Sequence, residues 1–291
     1  MLANTINMPT LTHHTLEHTP LTTIHRAFVD AFSEYEVKIE MPIEKLAEML
    51  TTRSFSPAWS LGAFDGEAMA GFILLGARQM AGETVVYDVA TGVTRAYQQQ
   101  GLGDRLLKDL LARLPAWGVD SFVLEVLEHN TAAQKLYRRN GFEISRKFNC
   151  YQKSFDAPQA EQIPSSSRGA EDLRALDLPA YLSFAPSWQN ALESVQNNPG
   201  QYHLEIIREG GEVHAYGIVH KQRGDVMQLG VAPACRSTAE VAGMIARLRA
   251  HTLSERLVFL NVEAGSALDR DLLALGFENT VNQYEMVYQV A

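Results

Sequence analysis

Cysteine is scarce. The 291 residues hold two, Cys150 and Cys235, too few for a disulfide framework and without the paired spacing of a zinc site. That usage fits a reducing cytosol as the compartment. Long apolar runs are lacking too: none nears the roughly 20 residues that span a bilayer. The opening residues carry Thr, His and Glu instead of a basic stretch and an apolar core, so no signal peptide is expected. Positive charge is in deficit, with 25 Lys and Arg against 34 Asp and Glu for a net −9, which argues against nucleic acid as the main partner. Two nucleotide signatures are also missing around Gly101 and Gly103. No Lys-Ser/Thr follows them, as a phosphate loop of nucleotide hydrolases requires, and Leu106 stands where a dinucleotide fingerprint needs its third glycine.

What is present centres on residues 93–103, Val-Thr-Arg-Ala-Tyr-Gln-Gln-Gln-Gly-Leu-Gly. An apolar, strand-like run at 84–90 leads in, and an amphipathic helix over 102–114 leads out. A Gly-x-Gly at such a junction exposes backbone N–H groups at the positive end of the helix dipole, which suits a phosphate or pyrophosphate. Lacking Cβ atoms, Gly101 and Gly103 let an anion approach the main chain. Downstream, 121–126 reads as a buried strand and 131–140 has helical spacing, ended by Gly141 as a left-handed cap before Phe142.

Gln98-x-x-Gly101-x-Gly103 resembles the acyl-CoA pyrophosphate loop of the Gcn5-related N-acetyltransferase (GNAT) family, Arg/Gln-x-x-Gly-x-Gly/Ala. The string from Asn130 through Tyr137 to Phe142 is similar to the second half of the same family's cofactor site, in the expected order and separation. The resemblance implies acetyl-CoA as cosubstrate, no metal, and a primary amine as acceptor. It places the cofactor on Val93, Thr94, Arg95, Gln98, Gln99, Gln100, Gly101, Leu102, Gly103 and Asp104, and on Asn130, Ala133 and Tyr137. Asn130 would bond the pantetheine arm, and Tyr137 would protonate the departing thiolate. Two carboxylates compete as general base. Glu125, in an apolar strand, resembles with Tyr137 the acid–base pair of ribosomal-protein alanine N-acetyltransferases. Asp88 lies in the preceding strand, where related enzymes also place acids. Each has a structural alternative: Tyr137 as a core aromatic, and Glu125 in a salt bridge to Arg138, Arg139 or Arg146.

Along the chain, helices are expected from Pro20 through Phe32 and at 42–51, and strands at 60–64 and 68–75 around an Asp65-Gly66 turn. Residues 148–155 would close the first domain. This is a mixed α/β (α+β) layout with a mostly antiparallel sheet flanked by helices, in which the resembled family parts two central strands around the acyl group. The length suits two domains: 1–155, a polar Pro- and Ser-bearing linker at 156–170, and 171–291. The third part repeats the first in weakened form, giving the GNAT-like fold twice. Val231 to Arg236 lines up with Val93 to Gln98, and Leu275-Gly276-Phe277 with Asn140-Gly141-Phe142. The repeat has lost its site: Ala239 and Val241 replace the two glycines, and Gly265, Leu272 and Leu260 stand opposite Asn130, Tyr137 and Glu125. The second copy is therefore expected not to catalyse, and to wall off a substrate groove or form an interface, a homodimer included.

Acceptor choice is expected to lie in residues 28–52, where Glu34, Tyr35, Glu36 and Glu40 could line a pocket for a cation or simply form a charged helix end. His13, His14, His18 and His25 cluster without acidic or cysteine ligands, which reads as a solvated segment more than a metal site. The rival function is a non-catalytic acyl-CoA-binding or sensory protein, which would keep the loop and dispense with the acid.

Overall fold

The computed structural model describes residues 11–33, 41–155 and 178–290. The expected linker at 156–170 and the residues Glu34, Tyr35, Glu36 and Glu40 lie outside them. The chain forms two compact units, one of Met1–Leu124, Gln134–Glu143 and Val287–Ala291, the other of Glu125–Ala133 and Ile144–Met286. Residues 144–154 thus belong to the second unit and the last residues of the chain to the first.

In the first unit β1 (Thr12–Thr15), β2 (Leu61–Asp65), β3 (Ala68–Met80) and β4 (Glu83–Val93) run antiparallel in that order, and β4 pairs in parallel with the start of β5 (Ser121–Leu127). The long β3 is apolar on both faces because both are covered: Phe72, Ile73, Leu74 and Leu75 are fully buried. α1 (Leu21–Ala31) lays Ile24, Ala27 and Phe28 inward, with the Phe28 ring 6.1 Å from that of Phe72. α2 (Ile43–Thr52) buries Leu46 and Leu50. α3 (Leu102–Arg113) turns Leu102, Leu106, Leu107 and Leu110 inward at helical spacing. α4 (Thr131–Arg139) buries Tyr137.

Two irregularities position the site. Leu74 faces Ala90 but Leu75 faces Asp88, so Val89 is an extra residue in β4, a bulge. The β4–β5 ladder covers only Val85 to Tyr87 against Ser121 to Val123, and β4 continues beyond it to Val93.

In the second unit the end of β5, β11 (Glu278–Gln289), β6 (Glu143–Ser154) and β10 (Arg256–Glu263) follow in that order. A separate antiparallel meander holds β7 (Tyr202–Glu209), β8 (Glu212–His220) and β9 (Val226–Val231). α5 (Thr238–Arg249) buries Val241, Met244, Ile245 and Leu248, and α6 (Ala267–Ala274) buries Leu268 and Leu272, in one core with Phe259 and Phe277. Three antiparallel strands, a 3-10 turn, helix, strand, helix and strand occur in this order from β2 to β6 and again from β7 to β11. The repeat read in the sequence is therefore a repeat of elements. Among the described residues no helix is long and apolar enough to cross a membrane.

Candidate active site

The loop after β4 is fastened from below. Thr94 gives both its N–H and its hydroxyl to the Ala70 carbonyl (2.9 Å each), and Gln98 Nε2 donates to the Val93 carbonyl at 3.1 Å. A 3-10 turn, Arg95–Tyr97, follows, then Gln99 at φ +58° and Gly101 at φ +71°. Left-handed backbone suits glycine and costs an ordinary side chain, so Gln99 marks a constrained turn. The α3 ladder opens with Arg105 N–H on the Gly101 carbonyl (3.2 Å), and no side chain caps the helix. The amides of Leu102, Gly103 and Asp104 therefore lie outside the ladder, at the positive end of the dipole. A Cβ on Gly103 would meet only Val93 Cγ2, at 3.8 Å. Packing does not demand a glycine there.

An acid–hydroxyl pair joins β4 to α4. Tyr137, buried, donates its hydroxyl to Asp88 Oδ2 at 3.1 Å, and Thr91 Oγ1 donates to the same oxygen at 2.7 Å. The bulge at Val89 alters the spacing of β4 between Asp88 and Thr91. Asp88 Oδ1 is buried and has no hydrogen-bond partner among the described residues. Burial raises the Asp88 carboxyl from 3.8 to about 6, against the lowering pull of Thr91, Tyr137 and the Arg53 charge. Arg53 also donates to the Val89 carbonyl at 3.0 Å. A half-neutral carboxyl with one open oxygen can take or give a proton near pH 6.

Residues 21–142 match the model of the acetyltransferase (GNAT) family. The chain carries a GNAT acetyltransferase domain. A [ribosomal protein bS18]-alanine N-acetyltransferase of Haemophilus ducreyi is 40% identical over 70 residues, 24% of this chain. The matched stretch spans about half of that relative, 47% of its length. Among solved structures, a GCN5-related N-acetyltransferase from Sphaerobacter thermophilus aligns with 96% of each chain at a TM-score of 0.67 and 12% identity. An acetyltransferase from Pyrococcus horikoshii, described as putative, aligns with 100% of this chain and 93% of its own at 0.62 and 12%. At that identity they show the fold alone, and they show it over the whole chain.

Several residues of the acetyltransferase domain that were expected to touch a cofactor are engaged within the protein. Arg95 is turned onto Asp30 of α1 through its N–H (2.8 Å) and Nε (3.0 Å). Gln100 Nε2 bonds the Ala96 carbonyl. The Asp104 carboxylate binds Asn140 Nδ2 (2.9 Å), Arg139 and Lys108 (3.0 Å each), which tie the start of α3 to the end of α4. The Asn140 hydrogen bond leads the causes that hold its pKa low. What Asp104 has to offer an anion is its amide. Asn130 Oδ1 accepts the Ala133 N–H (3.1 Å) and so caps α4.

Glu125 lies in the second unit, where Gln189 Nε2 donates to its Oε2. Of the arginines suggested for it, Arg139 lies on Asp104, and Arg146 on Glu285 (2.6 Å) and Glu263 (3.3 Å). Thr91, Arg53 and Gln189 escaped the sequence reading. Thr91 had a signal, a hydroxyl three residues from an acid in a strand, which only a bulge makes meaningful.

The early histidines scatter. His13 bonds Asp109, His14 stacks on Phe64 and His25 bonds the Met41 carbonyl. His203, Glu205 and His251 do lie together in the second unit, with both Nε2 atoms near Glu205 Oε2 (3.2 and 3.6 Å). Their rings are stacked 3.6 Å apart at 14°. A metal must lie near the plane of each imidazole it binds, and two nearly parallel planes share no point within bonding reach. Arg247 takes the other Glu205 oxygen at 3.2 Å, which makes the group an ion network.

Proposed function

We propose that the first unit transfers an acetyl group from acetyl-CoA to a primary amine by direct attack, with Asp88 as general base and Tyr137 as general acid. The observation that carries this is the Asp88–Tyr137 hydrogen bond, with Asp88 Oδ1 open, in the same unit as a helix N-terminus left uncapped. The amides of residues 102–104 and the space over Gly103 fit a pyrophosphate. Acetyl-CoA supplies the thioester. Asp88 takes the proton of the amine, the amine nitrogen attacks the thioester carbonyl, and a backbone N–H near Val93 holds the oxyanion. The C–S bond then breaks as Tyr137 gives its proton to sulfur. Its hydroxyl recovers a proton along the existing bond from Asp88, which returns to the ionised form, and the second proton of the former ammonium leaves the amide nitrogen to solvent as the intermediate collapses.

The amine's own pKa sets what the first transfer to Asp88 costs. An α-amine near 7.8 passes its proton to a carboxyl at about 6 at a cost of about 2.5 kcal/mol, whereas a lysine ammonium near 10.4 costs about 6. We therefore favour an α-amine, a protein N-terminus among the candidates, in keeping with the activity named for the Haemophilus relative. The second unit, without the glycines or the tyrosine, does not catalyse in this reading. The test is thiol release from acetyl-CoA with a panel of amines, including peptides that offer an N-terminal alanine or only a lysine. Binding of acetyl-CoA with no thiol released on any amine would replace this reading with that of a non-catalytic acyl-CoA-binding protein.

A further inference from the structure

The second unit has its own parting of strands. β9 and β10 meet at the bridge between Asp225 and Val258; beyond it β9 stays with β8 while β10 pairs with β6. Protein fills the opening. Residues 181–190 run into it, and Asn190 spans it: Nδ2 donates to the Leu260 carbonyl on β10 (2.6 Å), and the Asn190 carbonyl accepts Gln228 Nε2 of β9 (2.8 Å). Ser187 Oγ, fully buried, accepts Asn261 Nδ2 at 3.1 Å. Asn261 holds φ +56° within the irregular step of β10 between Phe259 and Val262, a backbone that non-glycine residues rarely adopt. The space left beside the segment holds little more than a water molecule.

The outer end of the segment is met by the groups that line up with the first unit's loop. Arg236 corresponds to Gln98, and both donate to the matching strand-end carbonyl, Val231 (3.4 Å) and Val93 (3.1 Å). Arg236 also donates to the Tyr181 carbonyl, and the Leu268 amide at the start of α6 reaches Ser183 Oγ (3.3 Å). Residues 181–190 therefore occupy the second strand gap as a ligand would, contacting both strands, the loop and the following helix. Such a seat fixes Gln189, held between Trp188, buried, and Asn190. The Gln189 amide donates to Glu125 Oε2.

We propose that residues 181–190 are a built-in occupant of the second unit's strand gap, and that this seat makes Gln189 a positioning residue for the Glu125 carboxylate. The seat and the contact it makes stand by themselves within the second unit. The gap's occupation also gives the second repeat a task that does not depend on its lost site, which is to hold Gln189 in place.

The test uses the full chain and two variants, Gln189→Leu and Asn190→Ala. Titration of the Glu125 side-chain carboxyl by ¹³C NMR reads the contact directly and needs no turnover. A hydrogen bond to a carboxylate favours its charged form, so Gln189→Leu should raise the Glu125 midpoint by about one pH unit. Asn190→Ala, which loosens the seat, should move it the same way by less. In wild type, amide exchange over residues 187–190 should be as slow as in β10. Melting temperatures check that each variant is folded; should Asn190→Ala fail to fold, Gln189→Leu carries the test. A Glu125 midpoint unmoved in folded Gln189→Leu, or loop-like exchange over 187–190, overturns the proposal. Failure of acetyl transfer to any amine would instead sink the functional reading and leave both readouts standing.

Discussion

Replacing Asp88 by asparagine tests the site by a route that needs no substrate. The carboxyl titrates at about 6 in the folded chain and at 3.8 as a free side chain, with burial the leading cause. Between those values the folded state holds a proton that the unfolded state has released. Stability therefore falls as pH rises through this window, and above pH 6 the folded chain carries the full cost of the buried charge. The difference of about 2.2 pH units corresponds to about 3 kcal/mol. The substituted amide does not titrate, so relative to wild type the Asp88→Asn variant should gain about 3 kcal/mol between pH 3 and pH 7. The slope is the diagnostic, because at any single pH the new amide NH2 at the Oδ1 position has its own cost. Other carboxyls titrate in both proteins and cancel in the difference. Urea unfolding at half-unit pH steps measures it, and turnover should drop by about 10²- to 10⁴-fold in the same protein. A pH-independent difference would refute the raised Asp88 pKa, and undiminished turnover would remove Asp88 from the chemistry.

Tyr137→Phe should lower turnover by about 10- to 1000-fold without abolishing it, since CoA thiolate leaves tolerably unaided; the same assay should show the acid limb of the pH–rate profile moving up, because Asp88 loses a hydrogen bond that lowers its pKa. Gly103→Val should weaken acetyl-CoA binding by more than about tenfold in calorimetry with little change in melting temperature, since the added side chain begins in open space. Calorimetry of the wild type should find one acetyl-CoA per chain, and a structure with CoA on the loop before α5 would contradict that. Asn130→Ala should cost about 1 kcal/mol of stability through the lost α4 cap, measured by urea unfolding.

Much of this was legible in the chain itself. Apolar spacing placed α1, α2 and α3 because each turns one stripe to a core, and the Gln98-x-x-Gly101-x-Gly103 string marked a loop whose form depends on backbone that glycine permits. The Asp88–Tyr137 contact was not legible. Asp88 and Tyr137 are 49 residues apart, and nothing local signals that a bulge at Val89 falls between Asp88 and the Thr91 that shares its oxygen. The Asp104 carboxylate is a related case: its place beside Gly103 is readable, but the grip of Asn140 and Arg139 on it depends on where α4 ends in space. Gln189 lies 64 residues from Glu125, and its contact follows from a filled gap that no spacing announces.

The two repeats differ in how the helix after the loop begins, with the order of elements held constant. Both keep the strand, the 3-10 turn and the bond from the loop's Gln or Arg to the strand-end carbonyl. They differ in what becomes of the helix's first amides. In α5, Ser237 accepts the Glu240 N–H at 3.3 Å and Thr238 is tied to Asp271 at 2.6 Å, while Val241, in the place of Gly103, is fully buried. Such a helix start has given one of its first amides to a side-chain cap and turned the Val241 side chain into the core, so an anion finds fewer amides and no room. α3 does the reverse, starting without a side-chain cap and with a glycine that packs against almost nothing. A side-chain cap is worth about 1 kcal/mol. A helix that forgoes one is stabilised instead by whatever anion its amides receive, so acetyl-CoA should raise the melting temperature through the first unit and leave amide exchange in the first turn of α5 unchanged.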